Sequence, residues 1–260
     1  MFHRILIVAG QEIISGLRDS RSLVSALLYA LMGPGVVFMV SLASAGKGQG
    51  SGAVLTGMMS VFTLVAAFVG GMSVAMDVVA GERERRSLLP LLLNPISRRE
   101  LLAGKWLAVS FFCIAGLLIN LIGFAAVFTA SGSKPRGDAG SLVLMLAAGL
   151  IPLSLLASAL ELAISTVCRA TKEAHTYLSL LVFLPMALGI FVVFFPQAAQ
   201  AWSRVIPLLG QQWQIETWMK GGAVPVAQAL MLAMVTGAAI TGVLLAAANR
   251  LERDDVVYGN

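Results

Sequence analysis

Charge is scarce in this 260-residue chain. Asp, Glu, Lys and Arg make up 12% of it, against 58% hydrophobic residues. Soluble domains carry about 25% charged residues. A soluble fold of this size leaves too much surface exposed to hide such a sequence, whereas lipid solvates apolar helices from outside. The mean hydropathy of +0.88 fits that reading. Cysteine is nearly absent. Cys113 falls inside an apolar run and Cys168 in an expected cytosolic connection, which argues against a disulfide, and no metal-type cysteine spacing exists. There are only two histidines, His3 and His175. His175 reads as a solvated loop residue, and no metal site is expected. A Gly-rich phosphate loop ending in Lys-Ser or Lys-Thr is missing, so any ATP hydrolysis belongs to a separate chain. The strand-like alternation of a membrane barrel is missing too. The net charge of +5 does not point to nucleic acid, because the basic residues sit in short clusters between apolar runs, where they orient a membrane protein.

What is present is a series of long apolar runs. A bilayer core of about 30 Å needs about 20 helical residues per crossing. Six stretches qualify: about Leu23–Ala43, Val54–Met76, Trp106–Thr129, Leu142–Val167, Tyr177–Phe195 and Val226–Ala247. The sequence therefore predicts an all-α integral membrane protein of six spans, one domain over 1–260. Pro34, between Gly33 and Gly35, breaks the first span, and Pro152 and Pro185 lie in or near later ones. Membrane helices tolerate such residues when neighbours satisfy the freed backbone groups. Residues 1–22 carry Arg4, Glu12, Arg18, Asp19 and Arg21, which leaves no apolar core for a cleavable signal. They read as an amphipathic helix on the membrane surface. Gly70-Gly71 in the second span, and Gly237 and Gly242 in the sixth, allow close helix approach.

Of the 18 Lys and Arg, only Lys47, Lys134, Arg136, Arg204 and Lys220 fall on one side if the N-terminus is cytosolic. That bias places both termini inside. Residues 77–105 then form the one long cytosolic loop. It opens with a mixed-charge cluster, Glu82, Arg83, Glu84, Arg85 and Arg86. It continues through Leu91, Leu92 and Leu93 to a break at Asn94-Pro95. Ser97 follows as a helix N-cap, with Glu100 at the capping-box position. A short apolar helix there can dock in a groove of a soluble partner. The plainer reading is an ordinary surface helix with solvated charges. Residues 196–222 form a long external segment rich in Trp and Gln. Trp202, Trp213 and Trp218 suit a membrane interface, and Pro207 and Gly210 are placed to break a hairpin at its tip.

The loop resembles the cytoplasmic element of ABC type-2 permeases. It matches that pattern at Leu91-Leu92-Leu93, Pro95-Ile96-Ser97-Arg98, Glu100-Leu101 and Gly104-Lys105. Lys172 to Leu178 with Leu184-Pro185-Met186, Ile206 to Gln211, and the tail Glu252 to Val257 are similar to the sodium-exporting NatB-like branch. Related copper-site maturation permeases share much of this pattern. The resemblance implies a permease in a prokaryotic plasma membrane that exports a substrate, Na+ in that branch, while apolar spans with few fixed charges are equally compatible with lipids or drugs. It implies two cytosolic ABC ATPase subunits that bind ATP and Mg2+, and a second permease chain, identical or homologous. It also implies a coupling helix within 77–105 that meets the ATPase through Glu82, Arg83, Glu84, Arg85, Arg86, Leu91, Leu92, Leu93, Pro95 and Arg98. The segment 196–222, with Trp202, Pro207 and Gly210, would be a re-entrant external hairpin.

Three polar residues within or at the end of spans are pathway candidates. Glu161 lies inside the fourth run, where a carboxylate is costly unless paired or hydrated. Its structural alternative is a position near the cytosolic end, satisfied by water or Arg169. Asp77 either caps the second span or admits an ion. Asn120 either joins helices or coordinates an ion. Two other classes compete. An intramembrane enzyme needs a nucleophile–base pair or metal cluster, and Ser154, Ser158 and Ser165 have no base in their run. A secondary transporter needs internal repeats and paired broken helices, and the halves show no convincing repeat.

Overall fold

The computed structural model describes residues 2–43, 51–85, 97–131, 137–195 and 201–251, and every regular element among them is helical. Helix α1 spans Phe2–Arg18. Asp19 separates it from α2, Ser20–Ala43. Helix α3 covers Ser51–Met76, passes into a π turn at Asp77–Gly81 and ends with Glu82–Glu84. Helix α4 is Arg98–Ala130. Helix α5 begins as Ala139–Met145, passes through a π turn at Leu146–Leu150 and continues as Ile151–Val167. Helix α6 is Thr171–Phe194. A 3-10 turn at Ala201–Val205 leads to the short α7, Leu209–Met219, and α8 is Val226–Leu251. Among the described residues six helices, namely α2 to α6 and α8, are long and apolar enough to cross a membrane. They are the six expected spans.

Helix α3 is the axis of the bundle and packs against α2, α4, α5 and α6. The outer helices keep bare apolar faces: Leu28 on α2 is 66% exposed, Phe183 on α6 61% and Met234 on α8 68%. Such faces are stable where lipid or another apolar protein surface covers them. Helices α3 and α4 meet at glycines. A Cβ on Gly70 would lie 2.7 Å from the Phe112 carbonyl oxygen, and one on Gly116 would lie 2.7 Å from the Gly70 Cα. The close approach expected of Gly70-Gly71 is therefore made. Gly237 and Gly242 have nothing within 4 Å of a built Cβ, so within this chain they bring no helices together.

Three boundaries differ from the sequence reading. The 77–105 loop is shorter, because α3 runs on to Glu84 and α4 starts at Arg98. The π turn makes the extension possible. It opens the helical ladder, and side chains from other helices fill the gaps: Lys105 Nζ donates to the Val78 carbonyl at 2.7 Å, and Ser165 Oγ accepts from the Ala80 N–H at 3.1 Å. The Ser97–Glu100 capping box stands as expected at the start of α4. The break at Gly33-Pro34-Gly35 is absent, and α2 is continuous. Pro34 has no N–H, which leaves the carbonyl four residues earlier without its donor. That carbonyl is Ala30, and Asn120 Nδ2 donates to it at 2.9 Å from α4. Gly123 makes room for the proline ring, since a Cβ there would lie 2.7 Å from Pro34 Cγ. Finally, α6 starts at Thr171, so the exposed His175 stands on a helix rather than in a loop.

Candidate functional site

The run after the π turn sends each successive charged side chain to a different helix. Glu82 pairs with Lys105 of α4 at 2.7 Å. Lys105 also pairs with Glu12 of α1 at 2.6 Å, and its side chain is only 2% exposed. The Arg83 guanidinium donates to the Cys168 carbonyl at 2.7 Å and the Thr166 carbonyl at 3.0 Å, at the C-terminal end of α5. Helix ends leave such carbonyls without intrahelical donors, and a basic side chain there also opposes the helix dipole. Glu84 accepts from the Thr171 N–H at 2.8 Å and its hydroxyl at 2.7 Å, so it caps the N-terminus of α6. Arg85 turns back to Asp77 at 2.9 Å and to the Gly81 carbonyl. Arg98, across the loop, donates to the Leu251 carbonyl at the end of α8, at 2.6 Å. This charged end of the bundle thus ties together α1 and five spans.

From the sequence, these charges are expected to clamp a partner. The structure gives Glu82, Arg83, Glu84, Arg85 and Arg98 internal partners. Arg86, Leu91, Leu92, Leu93 and Pro95 lie outside the described residues. Lys105, known from sequence only as part of a motif, is the hub. A buried lysine needs carboxylate partners, but nothing in the spacing of Glu12, Glu82 and Lys105 reveals that they meet. Beside the hub, an open cavity of about 410 Å³ is lined by Glu12, Asp19, Asp77, Glu82 and Arg85. Near Arg83, burial and the Glu173 carboxylate push the Cys168 thiol above its ordinary range, partly opposed by the Arg83 cation. Cys113 and Cys168 are both free and buried.

The three pathway candidates are not brought together. Asp77 pairs with Arg85 at the charged end, and Asn120 serves the Ala30 carbonyl. Glu161 is fully buried inside the bundle. Its partner is the Cys113 thiol, 3.7 Å from Oε2, while Oε1 has no hydrogen bond. Arg169 does not satisfy it: that residue is exposed, whereas Glu161 is fully buried against Cys113. Gly71 makes the room, because a Cβ there would lie 2.9 Å from Glu161 Oε2. Ser154, Ser158 and Ser165 share the buried side of α5 with Glu161, and Ser158 meets Ser110 of α4 at 2.7 Å.

At the opposite end, α7 is held by amides. Gln211, Gln212 and Gln214 are each at most 1% exposed. Gln212 donates to the Gly189 carbonyl of α6 at 3.1 Å, and Gln211 approaches Thr236 of α8 at 3.5 Å. Pro207 lies in the turn before α7, and Leu208 takes a left-handed φ of 77°. That conformation is strained for a branched residue, and the Gln211 side chain steadies it by accepting from the Leu208 N–H at 2.6 Å. Gly210 belongs to α7 and does not break it; its missing side chain lets the helix sit against Leu232. Trp202 is 61% exposed, Arg204 lies 4.5 Å from the Trp213 ring centroid, and Trp218 donates to the Asp138 carbonyl at 3.0 Å.

A bundle of six apolar helices, with the Lys105 and Arg85 ion pairs gathered at one end, is a multi-pass membrane protein. A family profile described as "ABC-2 family transporter protein" matches residues 6–255, so the chain belongs to the ABC-2 family of transporter proteins. It is a multi-pass protein of the plasma membrane, as in bacteria. Over 165 residues it is 39% identical to the ABC transporter permease protein NatB of Bacillus subtilis (strain 168), covering 61% of this chain and 42% of that protein. Over 120 residues it is 32% identical to the probable ABC transporter permease protein NosY of Pseudomonas aeruginosa, covering 46% of this chain and 42% of that one. The matches span less than half the length of these relatives.

Proposed function

We propose that this chain is the permease subunit of an ATP-driven exporter. It takes work from a separate ATPase chain at the segment after α3 and moves a small cation, Na+ by its NatB-like sequence. The charged end lies in the cytoplasm with both termini. Two ATPase subunits, holding ATP and Mg2+, dock beneath two permease chains. The observation that carries this reading is the junction at Glu82–Arg85. The segment that follows it has the motif of a coupling helix, and its base is bonded to α4, α5 and α6, and through Lys105 to α1. A push on that segment is shared among the spans. The four carboxylates of the neighbouring cavity outnumber the two cations that pair with them, Lys105 and Arg85, which suits a further cation.

A pull-down from detergent-solubilised membranes tests the ATPase partnership. Wild type is expected to retain an ATPase subunit, and the double substitution Leu91→Asp, Leu92→Asp to lose it while eluting as a folded protein. Folded wild type that captures no ATPase, from extracts without coupled ATP hydrolysis, would refute the proposal.

Glu161 supplies a second test. A buried polar atom without a hydrogen bond costs about 1–3 kcal/mol, and such costs persist where function needs them. Glu161→Gln keeps the size of the side chain and removes its ability to carry charge. It is expected to melt at or above the wild-type temperature and to move less Na+ per ATP in proteoliposomes. Unchanged transport would leave Glu161 as a packing residue.

A further inference from the structure

An apolar slot of about 730 Å³ lies between α4 and α5. Met59 and Thr63 of α3 form its back wall, and Ile215, Trp218 and Met219 of α7 close one side. Its size falls within the range of ligand sites, about 300–1,000 Å³. We infer that the slot is a seat for one acyl chain of a membrane lipid.

Three observations lead there. The first is how little hydrogen-bonding capacity is left inside. The hydroxyls that reach the slot are those of Thr63 and Thr129, and each already donates to its own helix, to the Met59 and Ala126 carbonyls at 2.8 Å. The Trp218 N–H points away to the Asp138 carbonyl. Water needs polar partners to occupy a cavity, so an apolar occupant is favoured. The second is where the slot opens. Its outer edge is formed by Leu118 and Ile122, 45% and 69% exposed on the lipid-facing side of α4, so the slot is continuous with the bilayer. The third is its length and level. On α4 it runs from Leu118 to Thr129, one residue short of the helix end. That is about 17 Å at the helical rise, close to half of a bilayer core of about 30 Å. A groove one leaflet deep, dry and open sideways has the shape of a single chain, with the headgroup level with Thr129 and Asp138. The occupant rests on α7, the segment between the last two spans, so a bound lipid helps to set where α7 sits. The inference does not depend on the transport reading.

The test uses the full chain in liposomes that contain phosphatidylcholine with a diazirine in one acyl chain, with cross-linked peptides mapped by mass spectrometry. Labelling is expected to concentrate on residues 142–150 and 215–219, about tenfold above the equally lipid-facing Leu180 and Phe183, the ratio that modest extra burial of methylenes produces. Ala125→Trp, at the exposed edge of the slot, is expected to abolish the excess, and Leu180→Trp, on the far face, to leave it intact. Ala125→Phe serves in place of the Trp variant if that protein does not elute as a folded species. Three results would each overturn the inference: equal labelling of the slot and of Leu180, an excess that survives filling of the slot, or slot residues that cross-link to a second copy of the chain instead of to lipid.

Discussion

Lys105→Met is expected to destabilise the protein more than any other single side-chain replacement at the charged end. The lysine is 2% exposed and holds two carboxylates, Glu12 and Glu82, that are 21% and 19% exposed. Methionine fills much of the space but leaves both carboxylates without their cation and the Val78 carbonyl without its donor. Breaking a buried ion pair from one side costs about 3–5 kcal/mol. The lower end applies here, because both carboxylates keep some access to water. The loss should appear as a lower midpoint in detergent unfolding, with faster trypsin cleavage at Arg18 as α1 loosens from α4. The triple variant Lys105→Met, Glu12→Gln, Glu82→Gln removes the whole ionic group, and it should regain most of the stability, since replacing a complete buried group is often near neutral. If the single variant unfolds like wild type, the three residues do not form the hub. If the triple variant recovers stability but transports no substrate, the hub serves coupling rather than folding.

Gly70→Val is the second large effect. At Gly70 the backbones of α3 and α4 touch: a Cβ would lie 2.7 Å from the Phe112 oxygen and 3.1 Å from the Gly116 Cα. A backbone cannot swing aside as a side chain can, so the two helices must separate. Overpacking a tight core typically costs about 1–3 kcal/mol, and this site belongs at the top of that range or beyond it. The valine variant should fail to give a monodisperse protein, and Gly116→Val should fail in the same way. Gly237→Val is the control. Nothing lies within 4 Å of its Cβ position, so the fold of the single chain should be untouched. Equal tolerance at both places would contradict the packing of α3 on α4.

These residues show how unevenly the sequence reveals its structure. Gly70-Gly71 and Gly237 with Gly242 look alike on paper, yet only the first pair meets another helix. A small residue permits close approach without saying which face is turned inward. Pro34 looks like a break, but Asn120 supplies the donor that the proline removed, to the Ala30 carbonyl 90 residues away. Glu82 to Arg85 look like a solvated charge cluster ready for a partner, and each of the four bonds to a different part of the same chain. The Ser97–Glu100 cap was legible because its groups are three residues apart and the backbone alone brings them together.

The class of this protein is written in its residues: six helices apolar enough to cross a membrane and a family resemblance that the profile match bears out. Hydrocarbon demands long apolar runs with nearly all backbone groups bonded within their own helix, so the spans are written locally and can be read in one pass along the chain. The charged junction, the isolation of Glu161 beside Cys113, the amide-held α7 and the apolar slot between α4 and α5 were decided by tertiary structure alone. Each depends on side chains from two or more helices at one depth, and the rotation of one helix against another is set by packing among all of them, which no local pattern of residues contains.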